Sequence, residues 1–201
     1  MTRDHFDTLN HGVWKCEFTC PTIAGGTAQF NLQPGIQPNQ AGSWSKVGYK
    51  PARYTKGRFT IRFKLTERPK DQAVWWGLAL WNDGPAADGS QFSEICFGYT
   101  TNQSFTNTQL RFESAHRGHD VSLKVDTGVD LYDGRYHTGT LEYGPDYAAF
   151  YLDDKLLKVI NDESFIPSDP LELVIGPRLV TGSAPLQKKF TQTVDWVKID
   201  A

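Results

Sequence analysis

The segment SEICFGY carries the side chains of this sequence that are best suited to chemistry. On a β-strand alternate residues share a face, so Glu94 lies beside Cys96 and Gly98. Ile95 and Phe97 then point into a core. A carboxyl group next to a thiol and a glycine sits in weakly polar surroundings, which raise its pKa and suit it to proton transfer. Glu94 is therefore the candidate acid/base residue.

Cysteines offer the alternative chemistry. Cys96 lies on the same face as Glu94, but a reactive thiol needs a neighbouring cation or base, and no histidine or lysine is adjacent in sequence. Cys16 and Cys20 have no metal-ligand spacing. Because two cysteines four residues apart on one extended strand are too far apart to bridge, we expect all three thiols to be reduced.

Tryptophans fall on both faces of the strand predicted for VWWGLALW. Trp76 shares its face with two leucines, which predicts a core position, whereas Trp75 and Trp81 share the other face. Aromatic rings stack on ligands, although large aromatic side chains are also often simply buried. We treat Trp75, Trp81, Phe92 and Cys96, the last two on the same face as Glu94, as candidate ligand-binding residues.

The hydrophobic pattern has a period of two along most of the chain. In GRFTIRFKL, apolar residues alternate with arginine, threonine and lysine, which is typical of a half-buried strand. Similar runs are separated by turn signals such as NDGPAADGS, YDG and PSDP, and no long helix is indicated. The pattern predicts an all-β sandwich of two antiparallel sheets. Seven side chains are expected between the sheets: Ile61, Phe63, Ile95, Phe97, Leu141, Phe150 and Trp196.

Length and charge restrict the class of protein. A chain of 201 residues is expected to form a single domain, residues 1–201, and a formal charge of −2 without basic blocks predicts no nucleic-acid or membrane partner. The longest apolar run falls short of the ~20 residues of a membrane helix, and the first residues are too polar for a signal peptide. The sequence as given therefore predicts a cytoplasmic protein, although a secreted protein whose leader had been removed would look the same. We expect no cofactor and no metal.

Five segments resemble, in order, the strands of the glycoside hydrolase family 16 laminarinases and lichenases: RYTKGRFTIRFKL, VWWGLALWND, SEICFGY, DGRYHTGTLEYGPDYAAFYLDDKLL and TVDWVKID. The most specific match, YHTGTLEYGPDYAAFYLDDK, resembles the family's His-Thr-x-x-x-Glu-Trp strand and the Phe-Tyr-x-Asp-Gly hairpin that follows it. The matches span nearly the whole chain. This resemblance implies a concanavalin-like β-jelly roll with a ligand cleft on its concave sheet.

The family's catalytic strand reads Glu-x-Asp-x-Glu, or Glu-x-Asp-x-x-Glu where a bulge intervenes. The resemblance makes Glu94 the counterpart of the nucleophile, but Cys96 stands where the assisting aspartate belongs. The acid/base position holds Gly98, or Tyr99 if the strand is bulged. A retaining hydrolase needs two carboxyl groups ~5 Å apart, so the resemblance implies a roomier and drier cleft without the family's usual carboxylate pair.

Three further residues are expected around this cleft. Glu113 and Arg62 lie on strands that should flank it, where Glu113 could supply a second carboxylate and Arg62 could bind an anionic group. A solvated ion pair is the alternative for both. Arg178, which follows LVIG, could close one end of the cleft or lie on the surface.

Three functional classes follow from these residues. The first is a non-hydrolytic enzyme of the isomerase, cyclase or lyase type, with Glu94 as acid/base for a small organic ligand. The second is a divergent hydrolase of a β-glucan-like glycan that uses Glu94 with Glu113 or Tyr99. The third is a sugar-binding module that lacks catalysis. The Arg-x-Glu-x-Arg, Gln-x-His and Tyr-x-Lys strands of alginate-type lyases do not occur, which places that template last.

Overall fold

The computed structural model describes residues 1–201 and is built almost entirely from β-strands. Its eighteen strands are β1 Thr2–Asp4, β2 Trp14–Phe18, β3 Thr22–Ala24, β4 Thr27–Leu32, β5 Ser45–Tyr49, β6 Gly57–Leu65, β7 Ala73–Trp75, β8 Leu78–Asn82, β9 Ser93–Gly98, β10 Thr100–Thr101, β11 Gln109–His116, β12 His119–Asp126, β13 His137–Tyr143, β14 Ala148–Leu152, β15 Lys155–Ile160, β16 Glu172–Ile175, β17 Arg178–Leu179 and β18 Phe190–Asp200. Three 3-10 helices, Ala41–Ser43, Asn102–Ser104 and Glu163–Phe165, complete the regular structure. None of them has the length or the apolar character needed to cross a membrane.

Two large antiparallel sheets face each other. The first, called the outer sheet here, has the order β15-β14-β13-β6-β18-β4-β3, with β1 also paired to β18. The second, called the cleft sheet, has the order β12-β11-β9-β8-β16-β5-β2. A small third sheet has the order β10-β7-β17. Its strands are the chain neighbours of β9, β8 and β16 of the cleft sheet, and it lines one wall of the cleft. The arrangement is a jelly-roll β-sandwich, which confirms the predicted fold class.

The core lies between the two sheets, where alternation places the apolar faces of the strands. On β6 the apolar residues of GRFTIRFKL are buried while the polar residues between them are half-buried on the opposite face. Six of the seven predicted core residues are fully buried: Ile61, Phe63, Ile95, Phe97, Leu141 and Phe150. Strand parity was therefore predicted correctly for β6, β9, β13 and β14.

Trp196 is the exception. The pairing between β18 and β6 shifts register between Val194 and Trp196, because an extra residue forms a bulge there. Val194 and Val197 both point into the core, and Trp196 faces outward beneath the guanidinium of Arg3, 4.1 Å from the ring centroid. The prediction that Trp196 is buried is wrong, since a bulge reverses the parity of every residue that follows it.

The cysteine prediction is also wrong in part. Cys16 and Cys20 form a disulfide with a Cα–Cα distance of 5.4 Å. The prediction assumed one continuous strand, but β2 ends at Phe18, whose φ of +60° turns the chain back toward itself. Cys96 alone is a free thiol, and it is buried.

Candidate functional site

A cleft of about 810 Å³ lies on the face of the cleft sheet that points away from the core. Six of the strands place directly opposed residues in one row across it, from β11 to β2. In that order the residues are Glu113, Cys96, Ala79, Val174, Gly48 and Lys15. Small or apolar groups therefore form the floor of the cleft, and charged residues stand at its two ends.

Glu94 stands at the β9 side of this floor. Its side chain is half-buried and borders the cleft. Burial raises the pKa of Glu94 to about 8, and the negative charges of Glu113 and Asp120 act in the same direction. Since the proton of such a carboxyl group is held at neutral pH, Glu94 is a proton donor rather than a nucleophile in this state.

Glu113 is the second carboxyl group of the site, and hydrogen bonds fix it in place. The Ser122 hydroxyl donates to Oε1 at 2.6 Å, and the Cys96 thiol donates to Oε2 at 3.4 Å. Arg111 donates in turn to the Ser122 hydroxyl at 2.7 Å. Both oxygens of Glu113 therefore accept hydrogen bonds, which fixes the orientation of this carboxyl group beside Glu94.

Cys96 lies between the two glutamates and is 2% exposed. Burial raises the pKa of its thiol well above the ordinary value, and Glu94 and Glu113 add to the effect. A thiol in this environment is a poor nucleophile, because the thiolate is the reactive form. One ligand atom from each of Glu94, Cys96 and Glu113 lies within 4.8 Å of the others, so together they could hold a metal ion if the thiol gave up its proton.

The backbone leaves the extended conformation at the end of β9, where Gly98 and Tyr99 both have a positive φ. Gly98 has φ +122°, and an added Cβ would lie 1.5 Å from the carbonyl oxygen of Trp76. Tyr99 follows with φ +82° and borders the cleft. Burial raises the pKa of the Tyr99 phenol, Glu113 adds to it, and Arg111 and Arg178 oppose it. Gly98 and Tyr99 were the two predicted alternatives for the acid/base position; of these, Tyr99 borders the cleft, and its role stays a prediction.

Of the three aromatic residues predicted to bind ligand, two border the cleft and Phe92 does not. Trp75 and Trp81 border the cleft, whereas Trp76 lies in the core. The Trp81 indole donates to Asp83 at 2.6 Å, and its ring stacks on Phe92 at 5.1 Å and an interplanar angle of 4°. Phe92 therefore supports Trp81 from behind and does not line the cleft.

Arg62 is not at the site. It lies on β6, in the middle of the outer sheet, and forms an ion pair with Asp195. Its guanidinium stacks over Tyr136 at 4.2 Å. Because Ile61 and Phe63 point into the core, Arg62 must point to the far side of the sandwich, away from the cleft. The prediction that it flanks the cleft is wrong.

A pair of stacked aromatic rings at the far end of the cleft was missed. Trp44 and Phe18 lie 5.2 Å apart with an interplanar angle of 11°. The Lys46 ammonium and the Arg178 guanidinium lie 4.6 and 4.7 Å from the centroid of the Trp44 ring. The sequence of β5, SKVGY, gave no period-two signal because four of its five residues are buried, so neither the strand nor the tryptophan before it was recognised.

Several charged residues that border the cleft were also missed. Lys15 and Lys46 both pair with Glu17, and Arg53 lies 3.6 Å from Glu172. Composition and periodicity do not indicate that these residues lie close together, since they come from β2, β5, β16 and a loop. Arg178, for which a cleft position and a surface position were both predicted, borders the cleft beside Trp44.

Solved structures that share this fold include several glucanases. No protein-family model matches the chain, and no curated protein matches it significantly. The chain is similar to a Bacillus licheniformis β-glucanase (17% identity, 100% of this chain and 97% of the other, TM-score 0.77) and to a glycoside hydrolase family 16 endo-glucanase from Bacteroides ovatus (17%, 98% and 99%, 0.72). It is also similar to a LamA variant from Zobellia galactanivorans in complex with laminaritriose and laminaritetraose (14%, 100% and 98%, 0.73). The chain therefore has the glucanase fold of glycoside hydrolase family 16, as its sequence segments predicted.

Proposed function

We propose that this protein is an acid/base enzyme of the isomerase, cyclase or lyase type, acting on a small organic ligand in the cleft. One observation carries the proposal: a carboxyl group with a pKa of about 8, Glu94, lies next to the hydrogen-bonded carboxylate of Glu113. A carboxyl group that holds its proton, beside one whose oxygens accept hydrogen bonds, provides an acid and a base. Glu94 donates a proton to one atom of the ligand, and Glu113 accepts a proton from another.

The roles of the two glutamates follow from their contacts. Glu94 keeps its proton because burial disfavours its charge. Glu113 has donors on both oxygens and remains an acceptor. Such a pair moves protons within a ligand without adding water, which is the net change of an isomerisation or a cyclisation. Cys96 orients Glu113 through its thiol and takes no part in bond formation.

The shape of the cleft supports an apolar or partly apolar ligand. Ala79, Val174 and Cys96 form a floor without charge, and Trp75 and Trp81 provide ring faces beside it. Concave sites with a mostly apolar lining and a few convergent polar groups bind small organic molecules. The same surface accepts the apolar face of a sugar ring, so the ligand class is a small molecule or a glycan.

A second candidate is a divergent glycan hydrolase. It is favoured by the spacing of the carboxyl groups, since oxygens of Glu94 and Glu113 lie within 4.8 Å of each other. Retaining glycosidases have their two carboxyl groups about 5 Å apart. In that reaction Glu94 would protonate the leaving oxygen and Glu113 would attack the sugar carbon. The glycan-bound structure from Zobellia galactanivorans supports this alternative only through a shared fold.

The change in mass between substrate and product distinguishes the two candidates. The parent protein and the Glu94→Gln variant are incubated in parallel with laminarin, with mixed-linkage glucan and with a small-molecule extract of the source organism. We expect no reducing sugar from either glucan. In the extract we expect one compound to be consumed by the parent and replaced by a product of equal mass, or by two fragments whose masses sum to it.

Two variants locate the chemistry. Glu94→Gln should abolish this conversion because the amide cannot supply the proton, and Cys96→Ser should retain most of it because the hydroxyl can still donate to Glu113. Release of reducing sugar by the parent but not by Glu94→Gln would establish the hydrolase instead. If neither the glucans nor the extract is converted, but glucan binds, the protein is a sugar-binding module.

A further inference from the structure

Arg178 differs from every other cation that borders the cleft. Lys15 and Lys46 pair with Glu17, and Arg53 pairs with Glu172. Arg178 has no carboxylate within ion-pair distance and its guanidinium makes no hydrogen bond to the protein, yet it is half-buried against Trp44. A guanidinium at a partly desolvated position is normally matched by an anion.

The backbone holds Arg178 rigidly in position. It belongs to β17, which pairs with β7 and places Arg178 directly opposite Trp75. On its other side it forms a bridge with Trp44, over whose ring the guanidinium lies at 4.7 Å. A guanidinium fixed between strands and stacked on an indole is preorganised, so a ligand would lose little of its binding free energy in ordering it.

Charge is distributed unequally along the cleft. The end near Trp44 carries Lys46, which pairs with Glu17, and the unpaired Arg178. At the end near Glu94, the cation Arg53 pairs with Glu172, which lies opposite Trp81 in the same row as Glu94, so no cation there is free. A ligand with one anionic group is therefore drawn into a single orientation, with that group at Arg178 and its uncharged part near the glutamates.

We propose that Arg178 binds an anionic group, a carboxylate in the first instance, of the ligand that occupies the cleft. The proposal deepens the acid/base function proposed above and rests on it for the identity of the reacting end. The five N–H donors of a guanidinium bind a carboxylate through two parallel hydrogen bonds, and Trp44 supports the guanidinium from beneath. The substrate class is then an organic acid with an apolar body.

A matched pair of probes tests the anion site without knowledge of the substrate. Cinnamate and its uncharged amide, cinnamamide, have the same aromatic body and differ in one charge. Their binding to the parent, Arg178→Gln, Arg62→Gln and Glu94→Gln proteins is measured by isothermal titration calorimetry at millimolar concentrations. Arg62 is the matched control, since it also stacks on an aromatic ring but has its own carboxylate, Asp195, on the far side of the molecule.

We expect cinnamate to bind the parent about tenfold more tightly than cinnamamide, the range of a charged hydrogen-bonded contact. The preference should disappear in Arg178→Gln, persist in Arg62→Gln and weaken with salt. The proposal is overturned if the parent fails to bind cinnamate, binds both probes equally, or keeps the preference in Arg178→Gln. Glu94→Gln should keep the preference, so the anion site can stand even if the acid/base proposal fails.

Discussion

Glu94 affects the stability of the protein as well as its chemistry. Its pKa of about 8 in the folded chain lies far above the ordinary value of 4.5. As pH rises, the unfolded chain therefore loses this proton first, while the folded chain holds it. Folding is penalised progressively from about pH 4.5 to pH 8, and the penalty stays constant at higher pH.

Glu94→Gln should remove that penalty. At pH 8 we expect the variant to be more stable than the parent by about 4 kcal/mol, and at pH 4 the two should be nearly equal. Urea unfolding at both pH values measures the difference, with Glu163→Gln, an exposed glutamate in a 3-10 helix, as the control. A difference between parent and Glu94→Gln that is the same at both pH values would show that Glu94 ionises normally.

At this scale the sequence predicted Glu94 as an acid/base residue with a raised pKa; the raised pKa is found, and the role stays a prediction. The resemblance to family 16 indicated a nucleophile, whereas the surroundings hold Glu94 protonated. The base, Glu113, was only one of several charged residues on neighbouring strands, since the register that places it opposite Cys96 cannot be read from composition. Arg62, like Glu113, was predicted on a strand that flanks the cleft, but it lies on the other side of the molecule.

At the scale of the element, β9 shows why the family's carboxylate pattern cannot be restored by one substitution. Gly98 packs against the carbonyl oxygen of Trp76 so closely that any Cβ collides with it, and the backbone there has a positive φ. Tyr99, with φ +82°, follows and borders the cleft. The glycine at position 98 is therefore required by the backbone, which leaves no room for a longer side chain there.

Gly98→Ala should cost at least about 3 kcal/mol of unfolding free energy, because it combines a backbone collision with a strained φ. Gly128→Ala is the matched control: Gly128 also has a positive φ, +75°, but nothing lies within 4 Å of its added Cβ. That control should cost only about 1 kcal/mol. Thermal or urea unfolding of the two variants gives the comparison, and equal losses would mean that the contact with Trp76 relaxes freely.

Bulges and short strands mark the limit of prediction at this scale. Period-two alternation located most of the strands that form the sandwich, because alternate burial is a direct consequence of pairing between two sheets. It failed at Trp196, where the β18 bulge reverses parity, and at β5, where both faces are buried. Both failures arise from contacts that are distant in sequence.

At the scale of the whole molecule, the disulfide is the feature that differs most from the sequence-based prediction, which was three reduced thiols. Cys16–Cys20 closes a small loop around Phe18, which is 64% exposed and stacks on Trp44 at one end of the cleft. Disulfides persist in oxidising compartments. The loop therefore favours such a compartment over the cytoplasmic location that we expected, and the location itself stays a prediction.

Reduction should destabilise the protein only moderately, because the loop is short. Loop-closure entropy for five residues gives about 2 kcal/mol as the upper range. Unfolding midpoints measured with and without dithiothreitol should differ in the parent and in Cys96→Ser, and should coincide in a Cys16→Ser, Cys20→Ser double variant. Identical midpoints for the oxidised and reduced parent would contradict a contribution from the bridge.

The row of residues that forms the cleft floor has a consequence for how such a protein can change over time. Each position in the row comes from a different strand, and the residues before and after it in β8, β9 and β16 point into the core. Substituting Ala79, Cys96 or Val174 therefore alters the width and polarity of the cleft while the packing between the sheets is left in place. Selection for a new ligand and selection for a folded chain act on separate sets of residues, so one sandwich can exchange its substrates without being rebuilt.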